Sequence, residues 1–274
     1  MILLLYAALV TFPHEQVQTL VGNVAKLMGR ANLYRWAGII GIVSAAAVTA
    51  VFVPELRRQK QRRMIAAYLA GTFLLIFAAW SLLTANNTEL VHYPQYFVPG
   101  AVLMVLTLSP LESLAWITVV GGLDEGYQFW VLHKGWGVPF DFNDVTMDFL
   151  GGALGVVFAM AFLRSETSAR TTGGFLKTVF SKPGAAALTA ICVAAMLLFA
   201  GGKMLLYKDD ANQHYWFALS RLHPKSFWFF DDTWGPKTFH TLSPVEGPIL
   251  LLLMLALYGF LDWKLAFSAP REGE

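Results

Sequence analysis

The stretch WAGIIGIVSAAAVTAVFVPELRRQKQRRMIAAYLAGTFLLIFAAWSLL, Trp36 to Leu83, decides the fold. It holds two long apolar runs, 36–54 and 64–84, on either side of a basic segment. A helix rises about 1.5 Å per residue, so roughly 20 apolar residues cross the hydrocarbon core of a bilayer. Both runs are therefore predicted to span a membrane. The basic segment RRQKQRR, 57–63, is predicted to be cytoplasmic, because positive charge accumulates on that side.

The same apolar pattern recurs along the rest of the chain. Hydrophobic residues make up 56% of the 274 residues and charged residues only 14%, which is too apolar for one water-soluble core. We therefore predict an all-α fold, a polytopic transmembrane helical bundle of about seven spans. The further spans are 88–109, 111–132, 144–163, 184–207 and 246–266.

The N-terminal region is predicted to associate with the membrane differently. Residues 1–12, MILLLYAALVTF, have no basic flank and no small-residue cleavage site, which favours a short anchor or re-entrant helix over a signal peptide. Residues 15–29 have apolar positions at helical spacing, which is typical of a helix lying along the interface.

Four segments follow within one membrane domain. They are the N-terminal anchor and interfacial helix (1–35), two N-terminal spans (36–84), a three-span core (85–163), and a C-terminal part (164–274) with a cytoplasmic loop, two spans and an aromatic outer loop at 208–245. Alternation of the spans places the C-terminus in the cytoplasm.

Three predicted spans carry polar side chains at the same end. Residues three, four or seven apart share one helix face, and alternating chain direction brings the polar ends of consecutive spans to one depth. We expect these groups to converge near the outer surface. The set comprises Glu89, His92 and Tyr96 in the third span, Asp124, Glu125 and Gln128 in the fourth, and Asp141, Asp144 and Asp148 in the fifth.

Grouping these side chains reduces the cost of charge near hydrocarbon, which is roughly 2.5 to 3.5 kcal/mol for an aspartate at a helix centre. Grouped carboxylates can share protons, pair with His92 or Lys134, or bind a cation. Simpler interpretations stay open: Asp141 as an N-cap, Asp144 as a first-turn acid, and His92 as a structural histidine. Asp148 lies deeper than any cap position.

Small residues follow the acids of the fifth span. They allow a neighbouring helix to approach closely, and so indicate helix packing. These residues are Gly151, Gly152 and Gly155.

Standard chemical signatures are missing from the sequence. It has no zincin helix, phosphate-binding glycine loop, nucleophile-elbow serine or paired-cysteine site. Oxygen and imidazole ligands suit a divalent cation, but no spacing here is diagnostic of one, and no other cofactor is evident. The basic residues form no stripe with interleaved aromatics, so nucleic acid is not a predicted partner.

Three motifs resemble the bacterial VanZ-like membrane family: ELVHYPQYFVPG at 89–100, DEGYQ at 124–128 and DFNDVTMDFLGGALG at 141–155. The family pattern is a His and Tyr pair opening one helix, a Glu with Gln three residues later ending the next, and an Asp-rich turn leading into a Gly-containing helix. The family usually has Asn where this chain has Asp148. The resemblance covers residues 85–163, and the matching positions are His92, Tyr96, Glu125, Gln128, Asp141, Asp144, Gly151 and Gly155.

The resemblance implies a bacterial inner-membrane protein of a family named for a member linked to low-level teicoplanin resistance, without an established mechanism. Our leading interpretation is an outer-leaflet polar pocket that binds a lipid headgroup, an envelope precursor or a glycopeptide. Glu125 and Asp144 would carry the charge, while His92 would tune or transfer protons. Gln128 and Tyr96 would orient the ligand in this pocket. Two alternatives stay open: a membrane-embedded enzyme acting on a lipid-linked substrate, and an accessory structural subunit of a larger membrane complex.

Overall fold

The computed structural model describes residues 14–85, 87–132, 139–163, 181–207, 214–219, 227–230 and 237–267. These residues form a helical bundle with very little sheet. The helices are α1 (His14–Met28), α2 (Arg30–Arg58), α3 (Arg62–Leu82), α4 (His92–Thr107), α5 (Pro110–Tyr127), α6 (Phe142–Phe162), α7 (Pro183–Ala200) and α8 (Glu246–Phe267). A 3-10 turn at Asn87–Val91 precedes α4, and a π turn at Gln128–Leu132 continues α5.

The helical fold is confirmed, and five of the described helices are long and apolar enough to cross a membrane. The predicted count of seven is not reached by this measure, because α4 has only 16 residues and the 18 residues of α5 include three acids. The five segments are Ala31–Arg58, Arg62–Leu82, Phe142–Phe162, Pro183–Ala200 and Glu246–Lys264.

Helix α6 forms the centre of the bundle. Within its apolar window 83% of the residues are buried, compared with 6% in α2. Helices α3, α4 and α5 all pack against α6, which brings the three polar segments of the sequence around one helix. Its many small residues permit this close surrounding.

Contacts at the helix ends define the two ends of the bundle. The Gln59 side chain, in the basic connection, donates to the carbonyls of Ala161 (2.7 Å) and Leu163 (3.2 Å) at the end of α6. At the opposite end, the Asn143 amide at the start of α6 donates to the carbonyl of Leu83 after α3. The basic connection and the end of α6 therefore lie together, as alternation of the spans predicts.

The described parts of the aromatic outer loop cover the end of the bundle where α6 begins. Strands β1 (Met204–Leu205) and β2 (Phe217–Ala218) pair in parallel, a small sheet that the all-α prediction omitted. The amide of Phe140 donates to the carbonyl of Ala218 (2.9 Å), and the amide of His240 donates to the carbonyl of Leu82 (2.7 Å).

Helix α1 agrees with the predicted helix at 15–29. The predicted anchor at 1–12 lies outside the described residues.

Candidate functional site

The site starts at the N-terminus of α6, where the DFND sequence sets the helix boundary. Asp141 is the N-cap, in extended conformation, and its Oδ1 accepts from the amide of Asn143 at 2.7 Å. The interpretation of Asp141 as an N-cap is therefore correct. Asp144 lies in the first turn with 23% of its side chain exposed, and Asp148 lies one turn deeper with 2% exposed.

His92 joins the two deeper acids of α6 to the start of α4. Its Nδ1 lies 2.8 Å from Asp148 Oδ1, and its Nε2 lies 3.6 Å from Asp144 Oδ1. Since a carboxylate oxygen only accepts, the short contact has Nδ1–H as the donor. The imidazole thus lies between two carboxylates that are four residues apart on one face of α6.

The end of α5 supplies the third side of the site. The amide of Gln128 donates to Asp124 Oδ2 and to Glu125 Oε1, both at 3.1 Å. Glu125 Oε2 accepts from the backbone amide of Asp141 at 3.2 Å. Glu125 therefore connects α5 directly to the N-cap of α6.

The remaining two predicted residues occupy different surroundings. Glu89 lies in the 3-10 turn before α4, accepts from the amide of Ala85 at 3.0 Å, and interacts electrostatically with Asp144. Tyr96 is 1% exposed and packs with Leu103 and Ile117 in a small apolar cluster. The structure therefore brings Glu89 to the acids of α6 and surrounds Tyr96 largely with apolar side chains.

Asp144 is the common member of the site, which we call the outer polar cluster. Its carboxylate interacts electrostatically with all the other members of the cluster except Asp124 and Gln128. The cluster consists of Glu89, His92, Asp124, Glu125, Gln128, Asp141, Asp144 and Asp148.

Burial and the neighbouring carboxylate of Asp144 alter the acidity of the N-cap. Together they raise the pKa of Asp141, which precedes the membrane-crossing part of α6, to about 8. The cap is therefore a group that binds a proton near neutral pH.

Glycines of α6 hold the cluster together by letting α4 approach. A Cβ on Gly151 would lie 2.7 Å from the carbonyl oxygen of Tyr93, and one on Gly155 would overlap the backbone of Phe97. A Cβ on Gly152 would meet the side chain of Ile117 in α5 at 2.8 Å. All three predicted packing glycines therefore lie at helix contacts.

Sequence reasoning missed two residues of the site. Asn143 is 1% exposed and bonds three segments: its amide donates to the carbonyls of Leu83 and His240, and its Oδ1 accepts from the amide of Leu242. Tyrosines near helix ends often lie at the membrane interface, yet Tyr93 is buried. The sequence signal that could have identified Tyr93 was its position next to His92.

Tyr93 lies within electrostatic reach of Glu89, Asp144 and Asp148. Its hydroxyl is buried and has no hydrogen-bond partner among the described residues.

The divalent cation stays a prediction. Among the described residues, no three His, Cys, Asp or Glu side chains are arranged to hold a metal ion. Lys134, considered as a partner for the carboxylates, lies outside the described residues.

Comparison of the chain with family models, curated proteins and solved structures finds no match. The VanZ-like resemblance therefore stays a prediction carried by its three motifs.

Proposed function

We propose that this chain is a VanZ-like protein of the bacterial inner membrane whose outer polar cluster binds an envelope molecule. The ligand would be a lipid headgroup, a lipid-linked envelope precursor or a glycopeptide. In this proposal α4 and α5 also cross the bilayer, giving seven spans. The basic connection 57–63 and the C-terminus are cytoplasmic, and the cluster faces the outer leaflet.

One observation carries the proposal: carboxylates from the 3-10 turn before α4, from α5 and from the start of α6 meet around His92, and Asp144 is one of those that stay partly exposed. The His92–Asp148 contact and the Gln128 contacts fix the buried members in place. Charged groups near the bilayer are costly and usually face a functional site. Asp144, with 23% of its side chain exposed, is a member that a molecule arriving from outside can reach.

The proposal is tested by native mass spectrometry of the full chain, purified in mild detergent from bacterial membranes. We expect a bound envelope molecule on the unmodified protein, and its loss from Asp144→Asn. The matched control is Glu55→Gln, which removes an acid of the exposed Arg58 ion pair outside the cluster. An Asp144→Asn variant that retains the same bound molecules would contradict the proposal.

The accessory-subunit alternative has one observation in its favour. Only 6% of the apolar window of α2 is buried, and Trp36, Ile40 and Ile42 are exposed on it. Such a helix can face lipid or another protein. The mass of the particle purified in detergent tests whether α2 contacts another protein. A stoichiometric partner supports an accessory subunit, and a single chain counts against it.

The enzymatic alternative rests on the hydrogen bond between His92 and Asp148. A carboxylate that orients an imidazole is a common arrangement for proton transfer. Turnover of a lipid-linked substrate, lost in both Asp144→Asn and His92→Gln, would favour an enzyme over a binding protein.

A further inference from the structure

We propose that the outer polar cluster recognises a protonated amine, so that its ligand is an envelope molecule bearing an ammonium group. This inference rests on the proposed function and names the chemistry of its ligand. Four features of the cluster lead to it: its charge, its unused hydrogen-bonding atoms, the occupied amides at the start of α6, and the way its rim already holds an ammonium.

The charge of the cluster favours a cation. Six carboxyl groups face one imidazole and the ammonium of Lys237 at the rim, so even with both cations charged an excess of acid remains. Like charges this close oppose one another's ionisation, and an added positive charge relieves that repulsion. A phosphate or carboxylate ligand would increase it.

The unused hydrogen-bonding atoms require a ligand that brings donors. Asp124 is 4% exposed, its Oδ2 accepts from Gln128, and its Oδ1 is buried without a partner among the described residues. The Tyr93 hydroxyl is likewise unpartnered beside the carboxylates and can accept. Leaving such a buried group without a hydrogen bond is unfavourable, so a ligand that donates to it gains binding free energy.

Backbone amides at the start of α6 that would attract an anion are already occupied. A helix N-terminus binds anions through its free amides. At α6 the Asp141 carboxylate takes the amide of Asn143, while the amide of Asp141 itself donates to Glu125. An anionic ligand would therefore meet the carboxyl groups of Asp141 and Glu125 at the N-terminus of α6.

The rim of the cluster already stabilises an ammonium. Lys237 Nζ donates to the carbonyl of Trp80 and to Thr84 Oγ1, and lies 5.5 Å from the centre of the Trp80 ring. Glu89 of the cluster attracts this same ammonium electrostatically. Carbonyl, hydroxyl, ring face and carboxylate are together the groups that bind an alkylammonium.

Two sources of an amine are distinguished by paired probes. For a lipid headgroup, the delipidated full chain in detergent is titrated with phosphatidylethanolamine and with its N-acetyl derivative, which lacks the charge. For a soluble molecule, glucosamine is compared with N-acetylglucosamine. Binding is measured by native mass spectrometry for the lipids and by calorimetry for the sugars.

We expect at least one amine to bind about tenfold more tightly than its acetylated partner, and Asp144→Asn to remove the difference while Glu55→Gln retains it. Preference within the lipid pair identifies a headgroup, and preference within the sugar pair identifies a soluble ligand. Equal binding within both pairs overturns the inference.

The native mass spectrometry described under the proposed function distinguishes failure of the amine inference from failure of the proposed function. If such a molecule is still lost from Asp144→Asn, the site stands and only the amine is wrong. If no ligand depends on Asp144, both proposals fail.

Discussion

The side chain of Asn143, within the DFND sequence, connects separate segments of the chain. It lies between the cap Asp141 and the open Asp144, and its three hydrogen bonds join the end of α3, the start of α6 and the segment that contains His240 and Leu242. The position of Asp144 thus depends on an amide side chain that touches no predicted ligand group.

Replacing this residue, Asn143→Ala, should destabilise the protein by about 2 to 4 kcal/mol, because three buried backbone groups lose their partners. The measurement is the free energy of unfolding in mixed micelles. The control is Asn32→Ala, since the Asn32 side chain makes an exposed bond to the carbonyl of Met28 at the end of α1. Equal effects of the two substitutions would show that the Asn143 contacts do not hold the segments together.

The cap Asp141 makes stability depend on pH in a defined direction. Its pKa is about 8 in the folded protein against an ordinary value of 3.8, so the folded state binds more protons between these values. Stability is therefore highest below pH 3.8 with respect to this group and falls as pH rises toward 8.

Asp141→Asn keeps an efficient N-cap and removes the titrating proton. We expect the thermal midpoint of this variant to fall less steeply between pH 4 and pH 8 than that of the unmodified protein. Thermal unfolding in detergent across this pH range measures the slope. An unchanged slope would mean that Asp141 titrates as an ordinary exposed acid.

The spacing of charged residues predicted much of this detail. The depth of Asp148 and its distance from a cap position indicated a buried group, and its bond to His92 agrees with that. Asn143 was not predicted, because an asparagine at a helix start resembles a cap. Its three partners come from segments 60 to 99 residues away, which helical periodicity cannot relate.

Among the elements, the contact between α4 and α6 sets the geometry of the site. Gly100 of α4 meets Gly152 of α6, and Gly155 meets the backbone near Phe97. The two backbones approach so closely that any side chain there must separate them. His92 and Asp148 reach each other across this same interface.

We therefore expect Gly155→Ala to destabilise the bundle, even though alanine favours a helix over glycine by about 1 kcal/mol. Gly122→Ala in α5 is the matched control, because a Cβ there meets nothing within 4 Å. Thermal midpoints of the two variants in the same detergent provide the measurement. A Gly155→Ala protein as stable as the Gly122→Ala protein would contradict the close packing.

Element boundaries were predicted less well than element positions. The apolar window 88–109 became a 3-10 turn followed by α4, and 111–132 became α5 with a π turn at its end. Both irregular turns carry cluster residues, Glu89 and Gln128. Hydropathy detects the apolar body of a helix, whereas side-chain contacts with other segments decide how its ends are wound.

At the scale of the whole molecule, the proposed topology rests on the distribution of charge and on the alternation of the spans. The bond from Gln59 to the end of α6 places the basic connection opposite the outer polar cluster. The sequence predicted an aromatic outer loop at 208–245. Its strand pairing and its contacts to α3 and α6 depend on tertiary partners that an apolar window does not reveal.

Single cysteines introduced into a Cys192→Ala background test this topology. Lys60→Cys should resist a membrane-impermeant maleimide added to intact cells, whereas Phe230→Cys, at a residue 56% exposed in the outer loop, should react. Both should react after the membranes are opened, which is the control for accessibility. The reverse pattern in intact cells would invert the orientation and move the cluster to the cytoplasmic face.

The meeting of α4 and α6 through His92 and Asp148 is the central claim, and a double-mutant cycle tests it most directly. The free energy of unfolding is measured for His92→Ala, Asp148→Ala and the double variant. A second cycle of His92→Ala with Glu112→Ala, at the opposite end of α5, serves as the control.

For the His92 and Asp148 pair we predict a coupling of about 1.5 kcal/mol or more, as expected of a buried charge-assisted hydrogen bond. The control pair should be additive to within about 0.5 kcal/mol. Additive effects of His92→Ala and Asp148→Ala would mean that the two side chains do not meet, and would contradict the convergence of the outer polar cluster.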